Sequence, residues 1–153
     1  MRHPYYESLL LIERLHRYFL EVVKVDLDRR GIQDINNVQA LILYNIAQDE
    51  MTVGELTARG YYLGSNVSYN VKKMFENGYL EQERSPHDRR SVRVKLSEKG
   101  LALHNRLNEY FDQQVSSLTG AQLPGEELTK ANDTLRKIER FWNTIINYGT
   151  NNS

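Results

Sequence analysis

The residues best suited to chemistry in this chain are cationic. Asp88-Arg89-Arg90 lies in the polar stretch Ser85 to Ser91, with Arg93 and Lys95 just beyond it and Lys72 and Lys73 upstream. Guanidinium and ammonium groups gathered this way suit a polyanion, whose phosphate oxygens accept their hydrogen bonds. Other candidates for chemistry are scattered. His3, His16, His87 and His104 fall in different segments with no i,i+4 pair, so no metal site is expected. Glu81 and Glu83 alternate along one segment and could imitate a catalytic carboxylate pair, but a solvated strand edge is the plainer reading. There is no nucleophile elbow, phosphate loop, dinucleotide glycine fingerprint or zincin pair. The 153 residues include no cysteine, which excludes a thiol nucleophile, thiolate metal sites, a disulfide scaffold and a thiol redox sensor. Neither an enzyme nor a cofactor is expected.

The whole chain is neutral, with 20 Lys and Arg against 20 Asp and Glu, and the balance hides an internal asymmetry. Residues 36–58 hold no cation and three acids, whereas residues 59–99 hold nine cations against five acids. A neutral chain with one basic segment points to a local polyanion site, although a solvated charge run is the simpler alternative until the segment's structure is read. Hydrophobic residues at 40% and charged residues at 26% describe an ordinary folded protein of one domain or a domain with a helical arm. No apolar run approaches the ~18 residues of a membrane span, so a cytosolic protein without membrane contact is expected.

Several helices must position these groups. Pro4 suits a helix start, and apolar residues from Leu9 to Leu27 recur at three- and four-residue steps up to Arg29, Arg30 and Gly31. Leu10, Leu11, Tyr18 and Val25 give this first helix a second apolar side. A second helix is predicted from Asn36 or Asn37, either a good N-cap, to about Asp49. Thr52-Val53-Gly54-Glu55 reads as a capping box opening a short third helix that ends at Gly60. Ser65 is read as the cap of a fourth helix, with Val67, Val71, Met74 and Phe75 inward and Gly78 closing it. Two short helices joined by a glycine-bearing turn make a helix-turn-helix.

The period then changes. Tyr79 to Arg84 and Val92 to Leu96 read as strands joined by a polar turn containing Pro86, and Val92-Arg93-Val94-Lys95-Leu96 alternates apolar with cationic. Ser97 caps a fifth helix predicted to reach Leu118. A last helix, from about Glu126 to Tyr148, carries Leu128, Ala131, Leu135, Ile138, Trp142 and Ile145 in a short a/d seam. The fold class is therefore mainly α with a small β-wing. The expected division is a helical dimerisation arm (1–35 and 100–148), a winged helix-turn-helix lobe (36–99) and a tail (149–153).

A helix can enter the ~12 Å major groove and read base edges, while a two-stranded wing beside it brings arginines to the minor groove. On the fourth helix the inward set leaves Ser65, Asn66, Ser68, Tyr69, Lys72 and Lys73 toward solvent. Hydroxyl and amide groups suit bases and phosphates, and lysines suit phosphate charge. Taken alone that face is an ordinary polar helix surface. Beside a basic wing carrying Arg89, Arg90 and Arg93 it reads as a DNA-binding face, with double-stranded DNA as the partner.

The chain resembles MarR-family winged helix-turn-helix transcriptional regulators over residues 5–148. The resemblance rests on Glu55-Leu56, on Val71-Lys72-Lys73-Met74-Phe75-Glu76-Asn77-Gly78-Tyr79-Leu80, on Arg84 to Ser91, and on Val94-Lys95-Leu96-Ser97-Glu98-Lys99-Gly100. Asp88-Arg89-Arg90 matches the family's Asp-x-Arg wing signature, and Leu96 to Gly100 its Leu-Thr/Ser-x-x-Gly start of the fifth helix. The resemblance implies that Arg90 contacts the minor groove and Asp88 braces the wing. It also implies a homodimer built by the first, fifth and sixth helices on a pseudo-palindromic operator, in a cytoplasmic bacterial regulator associated with the nucleoid when bound to DNA. Many relatives are released by a small aromatic or phenolic effector held between the dimer arm and the DNA-binding lobe. Phe19, Leu43 and Tyr44 are candidates for such a pocket, against the plainer reading that they are core. The aromatic turn Tyr61-Tyr62 and a recognition helix without arginine depart from the family pattern and leave base preference open. A second function class also stays open: a dimeric protein-interaction module that keeps the winged-helix shape without sequence-specific DNA binding.

Overall fold

Pro4 fixes φ for the first turn of a long helix, and the His3 ring nitrogen accepts the Tyr5 N–H at its start. In the computed structural model, which describes residues 2–46, 51–58, 64–84 and 92–149, this is α1 (Pro4–Arg29). There follow α2 (Asn37–Ile46), β1 (Met51–Thr52), α3 (Val53–Ala58), α4 (Gly64–Glu76), β2 (Leu80–Arg84), β3 (Val92–Leu96), α5 (Glu98–Val115) and α6 (Gly125–Gly149). The predicted ends of the second and third helices, near Asp49 and Gly60, fall outside the described residues.

Helix ends follow local chemistry. α1 and α4 both close in a Schellman motif with a left-handed glycine, Gly31 at φ 69° and Gly78 at φ 81°. At the second, the Gly78 N–H reaches the Phe75 carbonyl and the Tyr79 N–H the Met74 carbonyl. That use of the Tyr79 amide is why the strand begins at Leu80 and not at Tyr79 as expected. Asn36 caps α2 reciprocally: its Oδ1 accepts the Gln39 N–H at 2.8 Å while the Gln39 Oε1 accepts the Asn36 N–H at 3.1 Å. Thr52 Oγ1 accepts the Glu55 N–H at 3.0 Å, as the capping pattern requires. Ser65, expected as a cap, lies inside the first turn of α4, because Gly64 already takes helical backbone.

One further boundary and the strand count differ from the sequence reading. α5 stops at Val115, three residues short of the expected Leu118. There Ser116 Oγ donates to the Gln113 carbonyl, and the ladder tightens to three-residue steps from Ser117 to Gln114 and from Leu118 to Val115. The sheet has three strands in the order β1-β3-β2, all antiparallel, so the wing pair gains a two-residue partner.

The chain divides into two units, Met1–Tyr110 and Phe111–Ser153. In the first, Val23 and Leu27 of α1, Ala40 to Leu43 and Ile46 of α2, Leu56, Val67, Val71, Met74, Val94, Leu103 and Leu107 form the core. In the second, α6 runs 25 residues with none buried, and Leu135, Phe141 and Ile145 are about half exposed and Ile146 more so.

Candidate nucleic-acid interface

α4 is set against α2 by packing and by one buried polar contact. Val67, Val71 and Met74 are buried at helical spacing, and Asn70 joins them on the inward face. The Gln39 Nε2 donates to the Asn70 Oδ1 at 3.2 Å, while the same side chain's oxygen caps α2. A buried amide pair is satisfied only in one arrangement, so it fixes how α4 sits as well as holding it. Sequence reasoning missed this contact. An asparagine at an inward position between Val67 and Met74 is the signal that would have found it, since a buried amide needs a partner.

The opposite face of α4 carries the expected set. Asn66, Ser68, Tyr69 and Lys72 are exposed, Tyr69 at 61%. The two lysines differ. Lys72 makes no ion pair with a described residue, whereas Lys73 lies 3.5 Å from Glu76 Oε2 and 6.0 Å from the centre of the Tyr69 ring. Lys72 is the cation this face offers freely. A cleft of about 410 Å³ runs between α4 and the sheet, lined by Ser68, Val71, Lys72, Phe75, Gln82 and Val94 among others.

The stem of the wing is less basic than its sequence suggested. Register places Glu81 opposite Lys95 and Glu83 opposite Arg93, so two acids and two bases share one face. Lys95 Nζ lies 3.6 Å from Glu83 Oε2, which engages a cation expected to lie along phosphates. Arg93 is exposed on the same face, and Val94 is buried beneath. That opposition leaves Arg84 at the end of β2, and Arg89 and Arg90 against Asp88 between the strands, to give the wing its net positive charge. Asp88, Arg89 and Arg90 lie outside the described residues.

The three pocket candidates sit in different surroundings. Leu43 is wholly buried in the core and Phe19 is 42% exposed on α1. Tyr44 places its hydroxyl 2.6 Å from Asn108 Oδ1 and stacks on His104 with ring centres 4.9 Å apart.

Comparison with known proteins bears on this arrangement. A family described as a winged helix DNA-binding domain matches residues 35–100, which run from the start of α2 to the first turn of α5. The exopolysaccharide II synthesis transcriptional activator ExpG of Rhizobium meliloti is 34% identical over 145 residues, covering 95% of this chain and 75% of that protein. The chain belongs to the MarR family of winged-helix transcriptional regulators. Its fold is similar to Streptococcus pneumoniae FabT solved in complex with DNA, at TM-score 0.72 and 20% identity over 92% of this chain and 99% of that one. It is also similar to a mutant MarR from E. coli complexed with operator DNA, at TM-score 0.67 and 20% identity over 90% of this chain and 99% of that one. As a MarR-family member the protein is a transcriptional regulator with a winged-helix DNA-binding domain. No helix among the described residues is long and apolar enough to cross a membrane.

Proposed function

We propose that this regulator works as a homodimer on a pseudo-palindromic double-stranded operator, with one α4 in the major groove of each half-site and one wing at the flanking minor groove. The observation that carries the reading is the outward face of α4. Asn66, Ser68, Tyr69 and Lys72 are exposed there, on a helix fixed from behind by the Gln39–Asn70 contact. Ser65 and Lys73 extend the face, and Arg89, Arg90 and Arg93 serve the backbone and minor groove, with Asp88 bracing Arg90. Residues 36–99 act as the reading lobe and residues 1–35 with 100–148 as the dimer arm. The exposed apolar residues of α1 and α6 support that arm, since patches of that extent are unusual on soluble monomers.

Control by a small organic effector belongs to the same proposal. An effector that prefers a dimer whose α4 helices are wrongly spaced for half-sites one DNA turn (~34 Å) apart lowers DNA affinity through its differential binding. The deciding experiment titrates the protein on its own promoter region and on shuffled DNA at moderate salt. Tighter binding to the promoter by a factor of about 1,000 or more supports a sequence-specific regulator. Equal affinities favour the alternative, an interaction module that has kept the winged-helix shape.

A further inference from the structure

A second cleft, of about 450 Å³, opens between the α1–α2 turn and the first turns of α5. Its floor is apolar: Leu103 and Tyr79 are buried there, and Ile32 and Ala102 complete the lining. Lys99, Asp34, Gln33 and Arg106 supply the polar rim. A depression of this size, open to solvent along its polar rim, has room for a small molecule on its apolar floor.

Most of the rim is already satisfied. Tyr79 Oη donates to Asp34 Oδ1 at 2.5 Å, and Lys99 Nζ donates to Asp34 Oδ2 at 2.5 Å and to the Asn77 carbonyl at 2.8 Å. Lys99 Nζ also lies 4.3 Å from the centre of the Tyr79 ring and covers that face. Arg106 forms neither a hydrogen bond nor an ion pair with a described residue. Its planar guanidinium, seven residues after Lys99 along α5, keeps its fork of donors for an incoming group.

We infer that this cleft binds a small aliphatic monocarboxylate, with the carboxylate on Arg106 and the hydrocarbon body on Ile32, Ala102 and Leu103. A planar carboxylate matches the guanidinium fork in a bidentate pair. Lys99 already neutralises Asp34, so Arg106 is the one uncompensated charge among the lining residues and matches a single anionic group better than a phosphate dianion. The covered face of Tyr79 offers no stacking partner, so the body needs no aromatic ring. The site stands on the cleft alone and does not require DNA binding.

The probe is cyclohexanecarboxylate, titrated without DNA into the isotope-labelled full chain and followed by amide chemical shifts. Saturable shifts at Gly31 to Asp34 and Ala102 to Arg106, with Kd of about 1 mM or tighter, are expected. Cyclohexanecarboxamide and inorganic phosphate should give none. Arg106→Gln should weaken the carboxylate at least tenfold without changing the melting temperature, and Arg106→Lys should retain part of the affinity. Absent or unsaturable shifts, shifts centred elsewhere, an equal response to the carboxamide, or unchanged affinity in Arg106→Gln would each overturn the inference. Promoter affinity is measured separately, so failure here leaves the DNA reading untouched.

Discussion

Gly100, in the first turn of α5, packs directly on the backbone of Tyr79. A methyl group at Gly100 would overlap the Tyr79 carbonyl oxygen and lie 3.2 Å from its carbon. The same carbonyl accepts the Ser97 N–H at 3.0 Å, and Ser97 Oγ both donates to the Gly78 carbonyl and accepts the Gly100 N–H. The end of α4, the start of β2 and the start of α5 are thus fastened at one point. This is a physical reason for glycine at the end of the Leu-Ser-x-x-Gly stretch. Gly100→Ala is expected to cost about 2–3 kcal/mol, because backbone cannot move aside as a flexible side chain can. Guanidinium unfolding should show a lower midpoint with little change in slope. Wild-type stability in the alanine variant would mean that the two backbones approach less closely than described.

The Asp34 cluster should leave a signature in the pH dependence of stability. Partial burial alone would raise the Asp34 carboxyl, but hydrogen bonds from Lys99 and Tyr79 and the Lys99 charge together hold it below its ordinary 3.8. Burial first, and then the Asp34 hydrogen bond and charge, push the Tyr79 phenol above its ordinary 10.0. A depressed carboxyl stabilises fully above 3.8, and its contribution is lost as pH falls through the lower folded value. A raised phenol stabilises fully below 10.0, and its contribution is lost as pH rises toward the higher folded value. The cluster's contribution is therefore level between those limits. Asp34→Asn should cost about 0.5–1 kcal/mol at neutral pH, since the Asp34 and Lys99 side chains are half exposed. Denaturation curves for the two proteins should converge well below pH 3.8. A gap that persists there would show that the charge is not the source.

Much of this fold was legible because its punctuation is local. Gly31 and Gly78 announce their left-handed turns, Thr52 its cap, and the Val92 to Leu96 alternation its strand. What escaped depends on distant partners. β1 is two residues long and exists only because Met51 and Thr52 find Val94 and Arg93 across the sheet. Asn70 could be placed on a helix face, but not matched to Gln39, 31 residues earlier. Lys73 and Lys95 were read as free cations, and their pairing with Glu76 and Glu83 redistributes the charge of the interface. Asp34, Tyr79 and Lys99 carry no motif that joins them.

Dimerisation should be obligate. α6 buries none of its residues within the protomer, and Leu135 and Ile145 of its a/d seam are 48% and 51% exposed. Leu10, Leu15, Tyr18 and Val25 of α1 are about 60% exposed as well. Light scattering at micromolar concentration should give twice 17.9 kDa. Leu135→Lys combined with Ile145→Lys should halve that mass and shift the emission of Trp142, the only tryptophan, which lies on the same seam. A wild-type monomer would sink the dimer proposal.

The two lysines of α4 should behave differently on DNA. Lys72 is unpaired among the described residues, while Lys73 is shared with Glu76 and the Tyr69 ring. Lys72→Ala should weaken promoter and shuffled DNA alike, and lower the slope of log affinity against log salt by about one for each phosphate no longer neutralised. Lys73→Ala should lower it less, because Glu76 already engages Lys73 and leaves it less charge for phosphate. Tyr69→Ala should instead reduce discrimination between the two DNAs, as expected for a side chain at the base edges. Equal salt slopes for the two lysine variants would contradict the pairing argument.

The wing gives the sharpest test. Glu81 and Glu83 offset Arg93 and Lys95 on one face of its stem, which leaves Arg84, Arg89 and Arg90 as the cations not opposed across the two strands. We expect Arg90, in the stretch of sequence between β2 and β3, to enter the minor groove, where a narrow groove concentrates negative potential. Arg90→Ala should then cost about 1–3 kcal/mol of DNA affinity, tenfold or more. Arg89→Ala and Arg93→Ala should act on all sequences alike and mainly reduce the salt slope. Asp88→Ala separates bracing from simple electrostatics. Removing an acid near DNA strengthens binding if only net charge matters, but weakens it if Asp88 holds the Arg90 guanidinium in position. Competition titrations at two salt concentrations measure both. Tighter binding by Asp88→Ala, or wild-type affinity in Arg90→Ala, would show that the wing does not read the groove this way.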